Sequence, residues 1–317
     1  MRGSAGSAHL PLGEGAEFDA IRAMLHEWGS RASGIGDDAA VLDVPAGQRL
    51  VVSTDATVEG VHFRREWLSS QEIGARAATA ALSDLAAMAA TPLGLLVALG
   101  VPEDWQPELV ELASGVGLSA ERAHCAIVGG NVTRSAELSL TITVLGATEH
   151  PLRRGGARAG DVIYVTGTLG GPHAALDALT SGHVPDAGHM TRFASPVARL
   201  AEARWLADAG ATAGIDISDG LAADLAHLAR ASGLSAEIEV ARVPCVSGVA
   251  PAEALASGEE YELIVTMPAA AKPDSAAFQA RFGIPLTAIG VMSDARSEPV
   301  RIPGARVDPA RGHDHLS

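Results

Sequence analysis

The chain has 317 residues, 47% of them hydrophobic and only 3% aromatic, with a formal net charge of −15. That length has room for two domains of roughly 150 residues each, and the acidity argues against nucleic acid as a partner, because phosphate binding there needs basic surface. No continuous apolar run is long enough to span a bilayer, roughly 20 residues, and Cys125 and Cys245 lie far apart among small apolar neighbours, as thiols of a reducing, cytoplasmic compartment do.

Residues 1–15 are rich in Gly and Ser, lack the apolar stretch of a signal peptide and read as a mobile tail. A helix is expected from about Glu17 to Trp28. GIGDDAAVL (34–42) sets Asp37 and Asp38 side by side in a strand-like apolar stretch. Successive strand residues face opposite ways, so only one of the two serves a given site directly. QRLVVSTDAT (48–57) is apolar up to Val52 and then polar, a strand delivering Ser53, Thr54 and Asp55 at its C-terminal end. Residues 70–90 form an Ala-rich helix with Ser70 as cap and Pro92 just beyond, and LGLLVALGVP is a buried strand. A helix over about 107–123 and strands in HCAIVGG and ELSLTITVLGAT complete a first α/β domain, 16–148.

HPLRRGGARAGD (150–161) is basic, Gly-rich and without periodicity, a linker opening the second domain, 149–317. That domain is also α/β. Strand DVIYVTG leads through TLGG into helix PHAALDAL; a polar loop and the helix PVARLAEARWLADAG follow. AGIDISDG is a short strand and turn before helix LAADLAHLARASG, closed by Gly233, and SAEIEVARV, YELIVTM and LTAIGVM are strands.

The familiar phosphate signatures GxxxxGK[ST] and GxGxxG are absent. VTGTLGG, between a strand and a helix, reads equally as a phosphate loop or as an ordinary connector. The acidic segments are more informative, although each has a plain structural reading beside the functional one. Ser53, Thr54 and Asp55 are oxygen ligands of the kind Mg²⁺ accepts, or a turn bonding its own backbone. Asp84, in LSDLAAMAA, is either an exposed helix position or a carboxylate that needs a partner or a metal. In GIDISDG, Asp216 and Asp219 flank Ser218, and Ser218 or Asp219 could simply cap the next helix. GGNVTRS offers glycines where backbone approaches a ligand, followed by the amide oxygen of Asn131. Together these segments repeat one layout: a strand or turn ending in oxygen ligands, with little positive charge. Clustered carboxylates cannot all stay ionised without compensation, and divalent cations bridging them to substrate phosphates supply it. One of Asp37 and Asp38 is then a metal ligand.

GIGDDAAVL, STDATVEGVHF, LSDLAAMAA, GGNVTRS, RRGGARAGD, IDISDGLAADL and SGEEYEL resemble, in order and spacing, the motifs of thiamine-monophosphate kinases, in the superfamily of aminoimidazole ribonucleotide synthetase. The resemblance runs from about Gly15 to the GHDHL at 312–316. It implies a two-domain α/β fold in which the N-terminal sheet completes a β-barrel across a homodimer. The activity it implies is ATP-dependent, direct in-line phosphorylation of thiamine monophosphate, assisted by several Mg²⁺ ions, with neither nucleic acid nor membrane as partner. By position it places metal on Asp38, Ser53, Thr54, Asp55, Asp84, Asn131, Asp216 and Asp219. ATP falls on Gly130, Asn131, Arg154 and Ser218, and thiamine monophosphate on His62, Glu259 and His313. No side chain is implied as a covalent catalyst, and Asp37 turns away into backbone hydrogen bonds. The chain departs from the usual pattern in three places. Asn131 stands where many relatives have Asp, GGEDYEL appears as SGEEYEL through Ser257 and Glu260, and His313 stands where many relatives have an aromatic residue.

Overall fold

The structure, a computed structural model, describes residue 9 and residues 12–302; His313 and most of the N-terminal tail lie outside the described residues. The chain divides into two compact units. The first runs up to Leu85 and resumes over Thr91–Glu149; the second takes Ala86–Ala90 and continues from His150.

The first unit contains α1 (Ala16–Trp28), β1 (Arg49–Val58), α2 (Ser70–Ala87), β2 (Thr91–Val101), α3 (Leu109–Arg122), β3 (Ile127–Arg134) and β4 (Ser139–Thr148). Its four strands lie in the order β1-β4-β2-β3, with β1 and β2 antiparallel to β4 and β2 parallel to β3. Alternation along β4 buries Leu140, Ile142 and Val144 on one face, while Thr141, Thr143 and Leu145 are only half-buried on the other. The long Ala-rich α2 contributes Ala78, Ala81, Leu82 and Leu85 to the core, so small side chains do the packing that aromatics do elsewhere. On β1 the face carrying Leu50, Val52, Thr54 and Ala56 is exposed.

The second unit contains β5 (Val162–Thr166), α4 (Gly171–Thr180), α5 (Ala187–Ala194), α6 (Leu200–Asp208), β6 (Ala213–Asp216), α7 (Leu221–Ala231), β7 (Leu234–Ile238), α8 (Pro251–Ala254), β8 (Leu263–Met267), α9 (Ser275–Phe282), β9 (Leu286–Asp294) and β10 (Val300–Arg301). Six strands lie in the order β10-β7-β9-β5-β8-β6. Ile163, Val165, Ile215, Ile264 and Ile289 from this sheet pack with Leu221, Leu225 and Leu228 of α7.

Four sequence readings change. GIGDDAAVL is not a strand. It is exposed, with Val41 93% accessible, and its ladder pairing is the isolated bridge Ile35↔Asp37; two adjacent charges and the nearby Pro45 leave it no face to bury. Ser53, Thr54 and Asp55 lie in the middle of β1 rather than at its C-terminal end, because all ten of its residues, through Val58, pair with β4. The basic 150–161 segment is packed rather than loose: Leu152 is 6% exposed and its N–H donates to the Met88 carbonyl at 3.1 Å. The polar loop after α4 also hides a helix, α5, capped by Asp186, whose carboxylate accepts from the Gly188 and His189 amides.

Candidate functional site

On the first unit the donors group around β1. Alternation puts Ser53 and Asp55 on the half-buried face of the strand and Thr54 on the opposite one. The Ser53 hydroxyl donates to Asp84 Oδ2 across to α2 at 2.5 Å, whereas Thr54 Oγ1 meets Thr143 Oγ1 at 3.0 Å. Strand and helix therefore bring Ser53 and Asp84 together, and the Thr54 hydroxyl points away. Asp84 is half-buried with a hydroxyl partner, so the exposed-helix reading of this residue does not hold. Asp38 sits in the exposed loop before β1, and its N–H donates to Asp37 Oδ1 at 2.9 Å, which is the backbone bond expected of Asp37.

Gly130 and Asn131 are exposed on the edge strand β3, opposite Val97 and Ala98 of β2. A Cβ at Gly130 would lie 2.0 Å from the Val97 carbonyl oxygen, so this position of the strand admits glycine alone. His62 follows β1 in a tight turn closed by Gly60 N–H to the Phe63 carbonyl at 2.8 Å. The His62 Nδ1 accepts from the Val58 amide at 3.1 Å, which leaves Nε2 as the protonated nitrogen of the neutral ring. The turn is anchored beneath by Phe63 and Trp105, 2% and 1% exposed, with Trp105 Nε1 donating to Glu59 Oε2 at 2.8 Å.

On the second unit Asp216 closes β6 and is 4% exposed. Beyond Ile217, the amides of Ser218, Asp219 and Gly220 all donate to Asp224 Oδ2 at 3.0, 3.0 and 3.1 Å. Asp224, in the first turn of α7, thus organises the turn that carries Ser218 and Asp219. Neither of these caps the helix: the residue before α7 is Gly220, at φ 121°. A left-handed backbone there favours glycine, and a Cβ would also press on the Ala256 carbonyl carbon at 3.1 Å. Burial, then the charges of Asp216 and Asp219, push the Asp224 carboxyl up to about 8 against the pull of its amide bonds. The capping alternative is gone, and a concentration of negative charge remains.

Arg154 is exposed in a short turn whose carbonyl accepts from Ser232 Oγ at 2.8 Å. Glu259, half-buried, donates its amide to the Ser218 carbonyl at 2.7 Å, which sets it beside the Asp216–Gly220 turn. Three residues on, Glu262 is fully buried and receives Arg199 Nε and Nη2 at 2.9 and 2.5 Å and Thr166 Oγ1 at 2.7 Å. The TLGG segment is not an open phosphate loop. The amide of Gly170, at the start of α4, donates to Glu260, so a carboxylate of the chain itself sits where an anion would.

Sequence reasoning missed Asp224 and the Arg199–Glu262 pair; it marked Glu260 as a departure from the usual motif but not its bond to the Gly170 amide. The signal for Asp224 was available as an acid in the first helical turn of LAADL, where the helix dipole favours it. The other partners are distant in sequence, and nothing local marks them.

All these donors are oxygens, the set that Mg²⁺ takes, and the mutual repulsion felt at Asp224 is what a divalent cation relieves, so the residues fit that ion. Among the described residues no three His, Cys, Asp or Glu side chains gather closely enough to hold a metal alone; hydroxyl, amide, carbonyl or phosphate oxygens would complete the coordination.

Comparison with known proteins agrees with the two-unit layout. Residues 36–148 match the AIR synthase related protein N-terminal domain and residues 158–302 its C-terminal domain, which defines the class. The thiamine-monophosphate kinase of Salmonella typhimurium LT2 is 36% identical over 276 residues, 82% of this chain and 84% of that protein. Among solved structures, thiamine-monophosphate kinase from Stenotrophomonas maltophilia K279a is similar with a TM-score of 0.81 at 34% identity, covering 94% of this chain and 99% of that one. AaThiL complexed with AMPPCP and TMP gives 0.77 at 31%, covering 98% and 100%. The chain belongs to the thiamine-monophosphate kinase family and is an enzyme of the kinase class.

Proposed function

We propose that the chain transfers the γ-phosphoryl group of ATP to thiamine monophosphate, giving thiamine diphosphate and ADP. The observation that carries this reading is the full-length likeness to AaThiL complexed with AMPPCP, an ATP analogue, and TMP. The donors described above support it. An acidic chain binds a polyanion through cations rather than through lysine, and Mg²⁺, when bound, offsets the charge that builds on the transferred phosphoryl group. Asp38, Ser53, Asp55, Asp84 and Asn131 of the first unit, and Asp216 and Asp219 of the second, would hold the several Mg²⁺ ions through side-chain oxygens, and Thr54, whose hydroxyl faces away, through its backbone carbonyl.

Gly130, Asn131, Arg154 and Ser218 contact ATP. Glu259 and His313 contact thiamine monophosphate, together with His62, whose Nε2–H is a donor for its phosphate. The acceptor phosphate oxygen is already anionic at neutral pH and needs no general base, so positioning and charge neutralisation suffice and no side chain becomes phosphorylated.

The protein works as a homodimer. The exposed face of β1, with Leu50 and Val52 49% and 56% accessible, is apolar surface at a sheet edge of the kind a second copy covers. Cys125 and Cys245 are both free thiols, in keeping with a cytoplasmic setting. A coupled assay of ADP release tests the activity. ADP formed only with thiamine monophosphate and Mg²⁺ both present is expected, and ADP release indifferent to thiamine monophosphate contradicts the assignment.

A further inference from the structure

The segment Ser257–Glu262 is held in a conformation that ordinary residues avoid. Glu259 and Tyr261 both have left-handed backbone, φ 56° and 51°. Side chains larger than glycine rarely adopt it, and it persists where surrounding structure over-determines it. Two backbone bonds supply part of that constraint: Glu259 N–H to the Ser218 carbonyl at 2.7 Å and Tyr261 N–H to the Ile217 carbonyl at 2.9 Å.

Between these bonds Glu260 turns inward and is 6% exposed. Its Oε1 accepts from the Gly170 amide and from the hydroxyl of Ser257, the latter at 2.5 Å. Its Oε2 is buried with no hydrogen-bond partner among the described residues. A fold selected for stability alone does not leave a buried carboxylate oxygen unpaired; unpaired groups and backbone strain coincide where geometry is held for function. Ser257 is itself fully buried. Ser257 and Glu260 are also the two residues by which SGEEYEL departs from GGEDYEL, and they bond to one another: the hydroxyl meets the carboxylate that the extra methylene carries inward.

We propose that Ser257 and Glu260 act as a coupled pair of positioning residues, pinning the loop to the start of α4 so that Glu259 stays against Ser218 in the orientation that meets thiamine monophosphate. This rests on the reading of Glu259 as a substrate contact.

The test is steady-state kinetics of Ser257→Ala, with Ser257→Gly, Glu260→Asp and their combination, alongside hydrogen–deuterium exchange of residues 257–262. Loss of one buried hydrogen bond raises KM for thiamine monophosphate about five- to tenfold in Ser257→Ala, with kcat and KM for ATP within about twofold of the parent. Exchange of 257–262 accelerates while α7 is unchanged. Ser257→Gly and Glu260→Asp are each impaired, and the double variant recovers beyond the sum of the two. Equal effects on both KM values, strictly additive effects, or unchanged exchange overturn the coupling. If the parent protein itself fails to phosphorylate thiamine monophosphate, the proposed function falls; exchange then judges the pair alone, faster exchange in Ser257→Ala supporting it and unchanged exchange overturning it.

Discussion

Replacing Arg199 by Leu removes the guanidinium that faces Glu262 at the end of the Ser257–Glu262 segment. The two side chains are 15% and 1% exposed, and two hydrogen bonds of 2.9 and 2.5 Å join them in a fork. In the variant Glu262 keeps Thr166 Oγ1 as a donor but loses its counter-charge, and Glu202, 3.7 Å from Arg199, loses its nearest cation. Stranding one buried charge costs about 3–5 kcal/mol, well above the net worth of the pair. Urea unfolding at pH 7 is the assay: the midpoint should drop by that amount divided by an unchanged slope. Adding Glu262→Gln to Arg199→Leu removes the stranded charge and should recover part of the loss, a coupling that a double-mutant cycle reads directly. A loss below about 1 kcal/mol, as for an exposed ion pair, would refute the claim that this pair is desolvated.

Burial pushes the Glu260 carboxyl from 4.5 up to about 7, so between those values the folded state keeps a proton that the unfolded state releases. The Glu260 contribution to stability should fall by about 3 kcal/mol as pH rises through that window, on top of the decline that Asp224 adds up to about pH 8; Glu260→Gln should make the decline shallower by that amount, and an undiminished decline in the variant would contradict it. Asp216→Asn should weaken Mg²⁺ dependence and turnover severely while leaving metal-free stability unchanged or raised, because it relieves repulsion at Asp224; parental activity at limiting Mg²⁺ contradicts the ligand assignment. Val52→Asp on the exposed face of β1 should shift the protein to monomer by light scattering at micromolar concentration, and an undisturbed dimer would place the interface elsewhere.

Elements with strong local signals were legible in the sequence. α1, α2, α3 and α7 fall where periodicity and the flanking glycines or proline put them, and most strands were visible as β-rich runs. Failures came where tertiary pairing overrode local pattern. The polar half of β1 reads as a strand end, yet its ladder with β4 continues through it; GIGDDAAVL reads as a strand, yet Asp37–Val41 is exposed and joins no sheet among the described residues. α5 and α9 were missed although Asp186 and Asp274 cap them and Gly283, at φ 73°, ends α9. Of the site, the individual oxygen donors could be read one by one. The Ser53–Asp84 bond, the three-amide turn around Asp224 and the Ser257–Glu260 pair could not, because each depends on which side chains a sheet or turn brings face to face.

The central claim is direct transfer from ATP to thiamine monophosphate, and rapid quenching with γ-labelled ATP and Mg²⁺ tests it most directly. With thiamine monophosphate present the label should move straight into thiamine diphosphate, and without it the protein should carry none. A stoichiometric labelled protein that passes its phosphate to thiamine monophosphate would contradict the account and make a side chain the first acceptor.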